Sequence, residues 1–395
     1  MVGISKLYCA TVEPSDVLRY SADSSSVPSH ILQFSANKRP VVVWNVTKRC
    51  NLRCVHCYSK SMNLDGVDEL STDQGKRLLD DLAGQKCPVV LFSGGEPLMR
   101  QDLMDLIRYA HKAGLRAVIS TNGTLITPRV ARELKSSDVS YVGVSIDGIG
   151  ETNDRFRCME GAFNSAIQGI RNCKKAGIKV GLRFTVTKSN RCEIPAIFHL
   201  LEQEDIPRAC FYHLVYTGRG KEIIDKALSH AQSRKTVHQI IDRTADLYAR
   251  GVGKEILTVG NHADGVYLYL RLKREGSSRA ASVLKLLQMN GGNNSGIGIG
   301  SVSWDGNVYA DQFWRNHSLG NIKQQSFSEI WNETGHPLIG SLRNRKPLLK
   351  GRCSGCVWKD VCNGNMRVRA EAVHNDIWAE DPACYLTEQE IAVRV

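Results

Sequence analysis

The chain has 395 residues, 42% hydrophobic and 23% charged, with a formal net charge of +12, enough for one large α/β domain of barrel size and a smaller appended module. A membrane span is excluded because no uninterrupted apolar run approaches the ~20 residues needed to cross a bilayer, and residues 1–10 do not read as a secretory signal, so a cytoplasmic protein is expected. The positive charge favours anionic partners, but no run of five Lys or Arg and no basic tail occurs, which argues against nucleic acid.

In chain order, residues 1–39 form an N-terminal extension. Residues 40–220 then alternate short β-branched runs with amphipathic stretches, the pattern of repeated βα units around a parallel sheet. Strands are expected at 41–46, 89–92, 117–120, 141–146, 179–186 and 210–215, and helices at 73–82, 103–113, 128–134, 162–176 and 194–202. Six such units make a partial TIM-type barrel, whose chemistry belongs at the C-terminal strand ends. Residues 221–290 read as a mostly helical connection whose basic stretch, 271–279, is a solvated face. The Gly, Asn and Ser-rich segment 290–300 marks a break before residues 291–395, which open on a hairpin turned by Asp305-Gly306.

The thirteen cysteines suit metal ligands and buried thiols better than a disulfide framework. Cys50, Cys54 and Cys57 fall on the loop after the first strand. Three thiolates leave one iron of a four-iron cube open to a chelating substrate, the alternative being a zinc knuckle that borrows a distant fourth ligand. The second strand runs into Ser93-Gly94-Gly95-Glu96-Pro97, the third into Ser120-Thr121-Asn122-Gly123 and the fourth into Ser145-Ile146-Asp147-Gly148, while Arg183 sits within the fifth. Near the C-terminus, Cys353, Cys356, Cys362 and Cys384 supply four thiolates, a closed donor set for an iron-sulfur cluster or a structural zinc. Cys9, Cys87, Cys158, Cys173, Cys192 and Cys210 are scattered and expected to be buried thiols.

The C-x3-C-x2-C spacing and the glycine-rich segment one βα unit later resemble the radical S-adenosylmethionine (SAM) superfamily. The resemblance implies an α/β fold, a partial (β/α)6 TIM-type barrel of radical SAM type, with a 4Fe-4S cluster on Cys50, Cys54 and Cys57 that reductively cleaves SAM to a deoxyadenosyl radical. By the same resemblance Gly94 and Gly95 let the backbone approach SAM closely and Glu96 meets its ammonium. Ser120 and Asn122 then serve the SAM carboxylate or ribose, Ser145 or Asp147 the ribose, and Arg183 a carboxylate of SAM or substrate. Turn formation for the loop residues and a buried ion pair for Arg183 are the structural alternatives.

The spacing of Cys353, Cys356 and Cys362 with distal Cys384 resembles the SPASM extension, which implies one auxiliary 4Fe-4S cluster. Only one is expected, because Asp311 and Met366 stand where a second would draw cysteines. Further likeness lies in Ile4-Ser5-Lys6-Leu7-Tyr8, Val12-Glu13-Pro14-Ser15-Asp16, Pro40-Val41-Val42-Val43-Trp44-Asn45, Asp311-Gln312-Phe313-Trp314, Gly320-Asn321 and Asp381-Pro382-Ala383-Cys384-Tyr385. These resemble the radical SAM enzymes of alternative haem biosynthesis over nearly the whole chain. The implied reaction removes two acetate side chains from didecarboxysiroheme to leave iron-coproporphyrin. A relative in haem d1 formation removes propionates from the same substrate, and a peptide-modifying SPASM enzyme is the further alternative. An anionic iron-tetrapyrrole suits the positive charge, and an electron donor such as ferredoxin or flavodoxin is implied. His213 and His317 are singled out as catalytic candidates, with His262 as another residue able to ligate the substrate iron, although a lone histidine is more often a satisfied or exposed side chain.

Overall fold

A computed structural model describes residues 1–12, 16, 39–63, 68–333 and 335–392. Residues 13–15 of the N-terminal motif, and most of the expected extension, lie outside the described residues.

The strands are β1 (Val2–Gly3), β2 (Val41–Thr47), β3 (Val89–Gly94), β4 (Arg116–Thr121), β5 (Tyr141–Ser145), β6 (Val180–Val186), β7 (Arg208–His213), β8 (Glu255–Val259), β9 (Ile299–Val302), β10 (Asn307–Tyr309) and β11 (Gly320–Asn321). They join in one open sheet of order β1-β8-β7-β6-β5-β4-β3-β2-β9-β10-β11. From β2 to β8 the neighbours are parallel and sequential, so each crossover helix packs back on the sheet in turn. The continuous β-branched run of β2 follows from burial on both faces, its last six residues being wholly buried.

Three features differ from the sequence expectation. The segment 221–290 contains β8, which extends the barrel beyond its six expected strands by pairing in parallel with β7 and antiparallel with β1. The five residues of β8, Glu255-Ile256-Leu257-Thr258-Val259, are too short a run to carry a helix-or-strand signal of their own; the open edge of β7 decides it. The basic stretch is paired: Arg271 bonds Asp242 and Glu275, and Arg279 donates to the carbonyls of Lys6, Leu7 and Tyr8, closing the helix Ile4–Cys9. Cys158 and Cys192 are exposed rather than buried.

The C-terminal hairpin continues the barrel sheet, because β9 pairs in parallel with the free edge of β2 and antiparallel with β10. Its turn uses Gly306 at φ +91°, a region open to glycine. The core runs along the sheet's outer face, where Trp44 and Phe92 lie 5.7 Å apart and both are wholly buried. Helix Thr72–Gly84, started by the capping box of Ser71 and Gln74, packs here. It carries glycine where a Cβ at Gly75 would stand 2.7 Å from the Trp44 ring.

Candidate functional site

Residues 48–63 leave β2 and turn back through the bond from the Cys50 amide to the Met62 carbonyl, 2.9 Å. Cys50 and Cys54 are buried and Cys57 half-buried, around Leu52. Three neighbouring loops brace this one. After β7, Arg219 donates from Nε to the Cys54 carbonyl (2.7 Å), from Nη2 to the Ser61 carbonyl (3.0 Å) and from its amide to the Cys57 carbonyl (2.9 Å). After β3, the Gly95 and Glu96 amides donate to the carbonyls of Thr47 and Arg49, each at 2.8 Å. A Cβ at Gly94 or Gly95 would collide with those same carbonyls, so the close approach that the two glycines permit among the described residues is to the cysteine loop, not only to a ligand. After β4, Asn122 donates from Nδ2 to Asn51 Oδ1 at 2.8 Å.

Glu96 is fully buried and accepts from Thr121 Oγ1 (2.7 Å) and from the amides of Asn122 (2.8 Å) and Leu98 (3.2 Å). Burial pushes its carboxyl up to about 7, against these hydrogen bonds, which lower it. Asp147 is also fully buried. Its carboxylate accepts from the Thr185 amide at 2.6 Å, pairs with Arg157 and lies 3.6 Å from His56 Nε2. Arg157 in turn donates to Cys54 Sγ at 3.6 Å, placing a cation beside a cluster-forming thiol. Burial pushes the Cys50 thiol up to about 12, so iron uptake must displace its proton.

A cavity opens at the C-terminal ends of β2 to β7, where ligand sites of parallel α/β barrels lie. The structure brings Ser120, Ser145, Arg183 and His213 to its wall. Arg183 donates to Ser120 Oγ at 2.5 Å and has room because β5 carries Gly143, where a Cβ would strike its guanidinium. Glu96, Asn122 and Asp147 are buried next to the cysteine loop rather than lining this cavity, and His317 is off it, tied to Glu371 at 2.6 Å beside Trp314. His262, expected in a polar loop, is buried. Sequence reasoning missed His56, Tyr58 and Arg157, which also line the cavity. The first two stand inside or beside the cysteine motif and could have been read from it. Arg157 had no local signal.

The four C-terminal cysteines converge on a second, smaller cavity, walled also by Ala263 and Asp381. The wholly buried pair of Arg369 with Asp381, 2.7 Å, anchors one side. Four thiolates around one cavity are a donor set that fits a four-iron cluster, one thiolate per iron. Asp311 is engaged with Ser295 and the amides of Phe313 (2.8 Å) and Trp314 (3.0 Å), and Met366 is buried with its sulfur accepting from Asn293. Neither position offers a thiolate to a further cluster.

The profile of the radical SAM superfamily matches residues 44–201, and that of the SPASM iron-sulfur cluster-binding domain matches 299–357. The chain is 60% identical over 394 residues, 99% of both chains, to Fe-coproporphyrin III synthase of Methanosarcina barkeri. This chain belongs to the radical SAM superfamily. The enzyme is also 42% identical to pre-heme d1 synthase of Dinoroseobacter shibae, over 89% of this chain and 87% of that one. In fold it is similar to SuiB of Streptococcus suis bound to S-adenosylmethionine, with TM-score 0.70 and 18% identity over 90% of this chain and 80% of the other. As a radical SAM enzyme with a SPASM module it uses SAM, a 4Fe-4S cluster and an auxiliary iron-sulfur cluster.

Proposed function

We propose that this enzyme removes the acetate side chains of didecarboxysiroheme to give iron-coproporphyrin in the siroheme-dependent haem pathway. The observation that carries the reading is the 60% identity, end to end, with Fe-coproporphyrin III synthase. The cluster with SAM supplies the deoxyadenosyl radical. The chain's own residues then have three tasks. Cys50, Cys54 and Cys57 hold the cluster, braced by Arg219 and Asn122. Gly94, Gly95, Glu96, Ser120, Asn122 and Ser145 or Asp147 bind SAM, and Arg183 offers a half-buried guanidinium to a carboxylate of SAM or substrate. Cys353, Cys356, Cys362 and Cys384 hold the one auxiliary cluster of the SPASM-like module, residues 291–395, which follows the barrel of residues 40–220 and the segment 221–290 that adds β8 to it. The net charge of +12 supports capture of a polycarboxylate tetrapyrrole. Nucleic acid is not a partner. The work belongs in the cytoplasm with a donor such as ferredoxin or flavodoxin.

The relationship to pre-heme d1 synthase favours a second reading, removal of propionates from the same substrate. An anaerobic assay with didecarboxysiroheme, SAM and a strong reductant, read by mass spectrometry, decides between them. Conversion of two acetates to methyls supports the first reading, loss of propionates the second, and an untouched substrate alongside SAM cleavage overturns both.

A further inference from the structure

His213 closes β7 and lines the large cavity, with Nε2 2.9 Å from Asp264 Oδ2. Asp264 is wholly buried, and its other oxygen accepts from the Tyr385 hydroxyl at 2.7 Å. A carboxylate only accepts hydrogen bonds, so the histidine proton belongs on Nε2 and the lone pair on Nδ1. Nδ1 has no hydrogen-bond partner among the described residues, and it is not among the buried unpartnered atoms. A histidine whose far nitrogen is fixed by a carboxylate, with the near one free at a cavity wall, is the arrangement found behind metal-bound imidazoles.

We propose that His213 ligates the substrate's iron through Nδ1, with Asp264 as the positioning residue that fixes its tautomer. The inference rests on the tetrapyrrole reading above. The other histidines are less suited. His56 stands between Cys54 and Cys57 with Nε2 3.6 Å from Asp147, beyond hydrogen-bond range, and with Nδ1 buried rather than open, His317 is bonded to Glu371 away from the cavity, and His262 is buried. Tyr385 follows Cys384, whose thiol lines the auxiliary cavity, and Ala263 beside Asp264 walls the same cavity. The C-terminal module therefore touches the iron ligand's partner, through the Tyr385 hydroxyl on Asp264.

The test uses reconstituted enzyme carrying both clusters, oxidised and EPR-silent, with SAM, and the probes ferric coproporphyrin and metal-free coproporphyrin. Wild type labelled with 15N-histidine should give a ferric signal with 15N hyperfine coupling. His213→Ala and His213→Gln should lose that coupling and bind the iron probe at least ~10-fold more weakly, about 1.4 kcal/mol, with recovery of the signal on adding imidazole and no change for the metal-free probe. Asp264→Asn should keep the coupling but move the g values, which a purely structural role of Asp264 would leave in place. Wild type without 15N coupling, or coupling that survives in His213→Ala and disappears in His56→Ala, overturns the ligation. Wild type that binds neither probe overturns instead the tetrapyrrole reading on which it rests.

Discussion

At the scale of single residues, Glu96 is the side chain whose environment makes the sharpest demand. Burial raises its carboxyl to about 7 from an ordinary value of 4.5, so in the free enzyme its ionised form is lost as pH falls through 7. A ligand ammonium that needs the carboxylate must then displace a proton, so SAM affinity should rise between pH 6 and pH 8. Glu96→Gln keeps the acceptor for the Asn122 amide but removes the charge. It should retain both clusters, bind SAM about tenfold more weakly and lose the pH dependence; equilibrium dialysis against SAM across this range measures both. The cysteines give a second outcome at this scale. Replacing Cys50, Cys54 and Cys57 by Ala should remove about four irons per chain and abolish formation of deoxyadenosine, read by iron analysis and chromatography.

Among the elements, the sheet shows how small residues make room for function. Gly143 in β5 faces Arg183 so closely that a methyl would meet the guanidinium, whereas Gly84, at the end of helix Thr72–Gly84, has nothing within 4 Å. Gly143→Ala should therefore cost about 1–3 kcal/mol through overpacking and displace Arg183 from Ser120. Gly84→Ala should stabilise by about 0.4–1 kcal/mol, chiefly by restricting the unfolded chain. Denaturant unfolding of the two variants compares them directly, and equal effects would show that the barrel interior tolerates movement of Arg183.

For the whole molecule, the two cavities are linked through the start of the helix Ala263–Arg274, where Asp264 bonds His213 of the barrel cavity and Ala263 walls the cavity of the C-terminal cysteines. Iron and Mössbauer analysis of reconstituted protein should report roughly eight irons per chain, two four-iron clusters. Replacing Cys353, Cys356, Cys362 and Cys384 together should leave about four, with SAM cleavage still measurable but no longer coupled to substrate conversion. Circular dichroism must accompany that measurement, because a metal site also supplies folding energy. Four irons with one zinc would make the C-terminal site structural.

The sequence by itself determined the βα alternation, the positions of β2 to β7 within one or two residues, and the two cysteine sets, because these signals are local: β-branched runs, helical periodicity and thiols a few positions apart. Burial on both faces of a parallel sheet writes itself into such runs. Only the tertiary structure decided that β8 extends the sheet, that Gly94 and Gly95 admit the backbone of the cysteine loop, that Asp147 pairs with Arg157, and that Asp264 lies between His213 and Tyr385. In each of these the partners are far apart in the chain or owe their meeting to an open strand edge, so no spacing rule could connect them. A buried charge declares its role only through the group that satisfies it, and that group is chosen by the packing of the whole barrel.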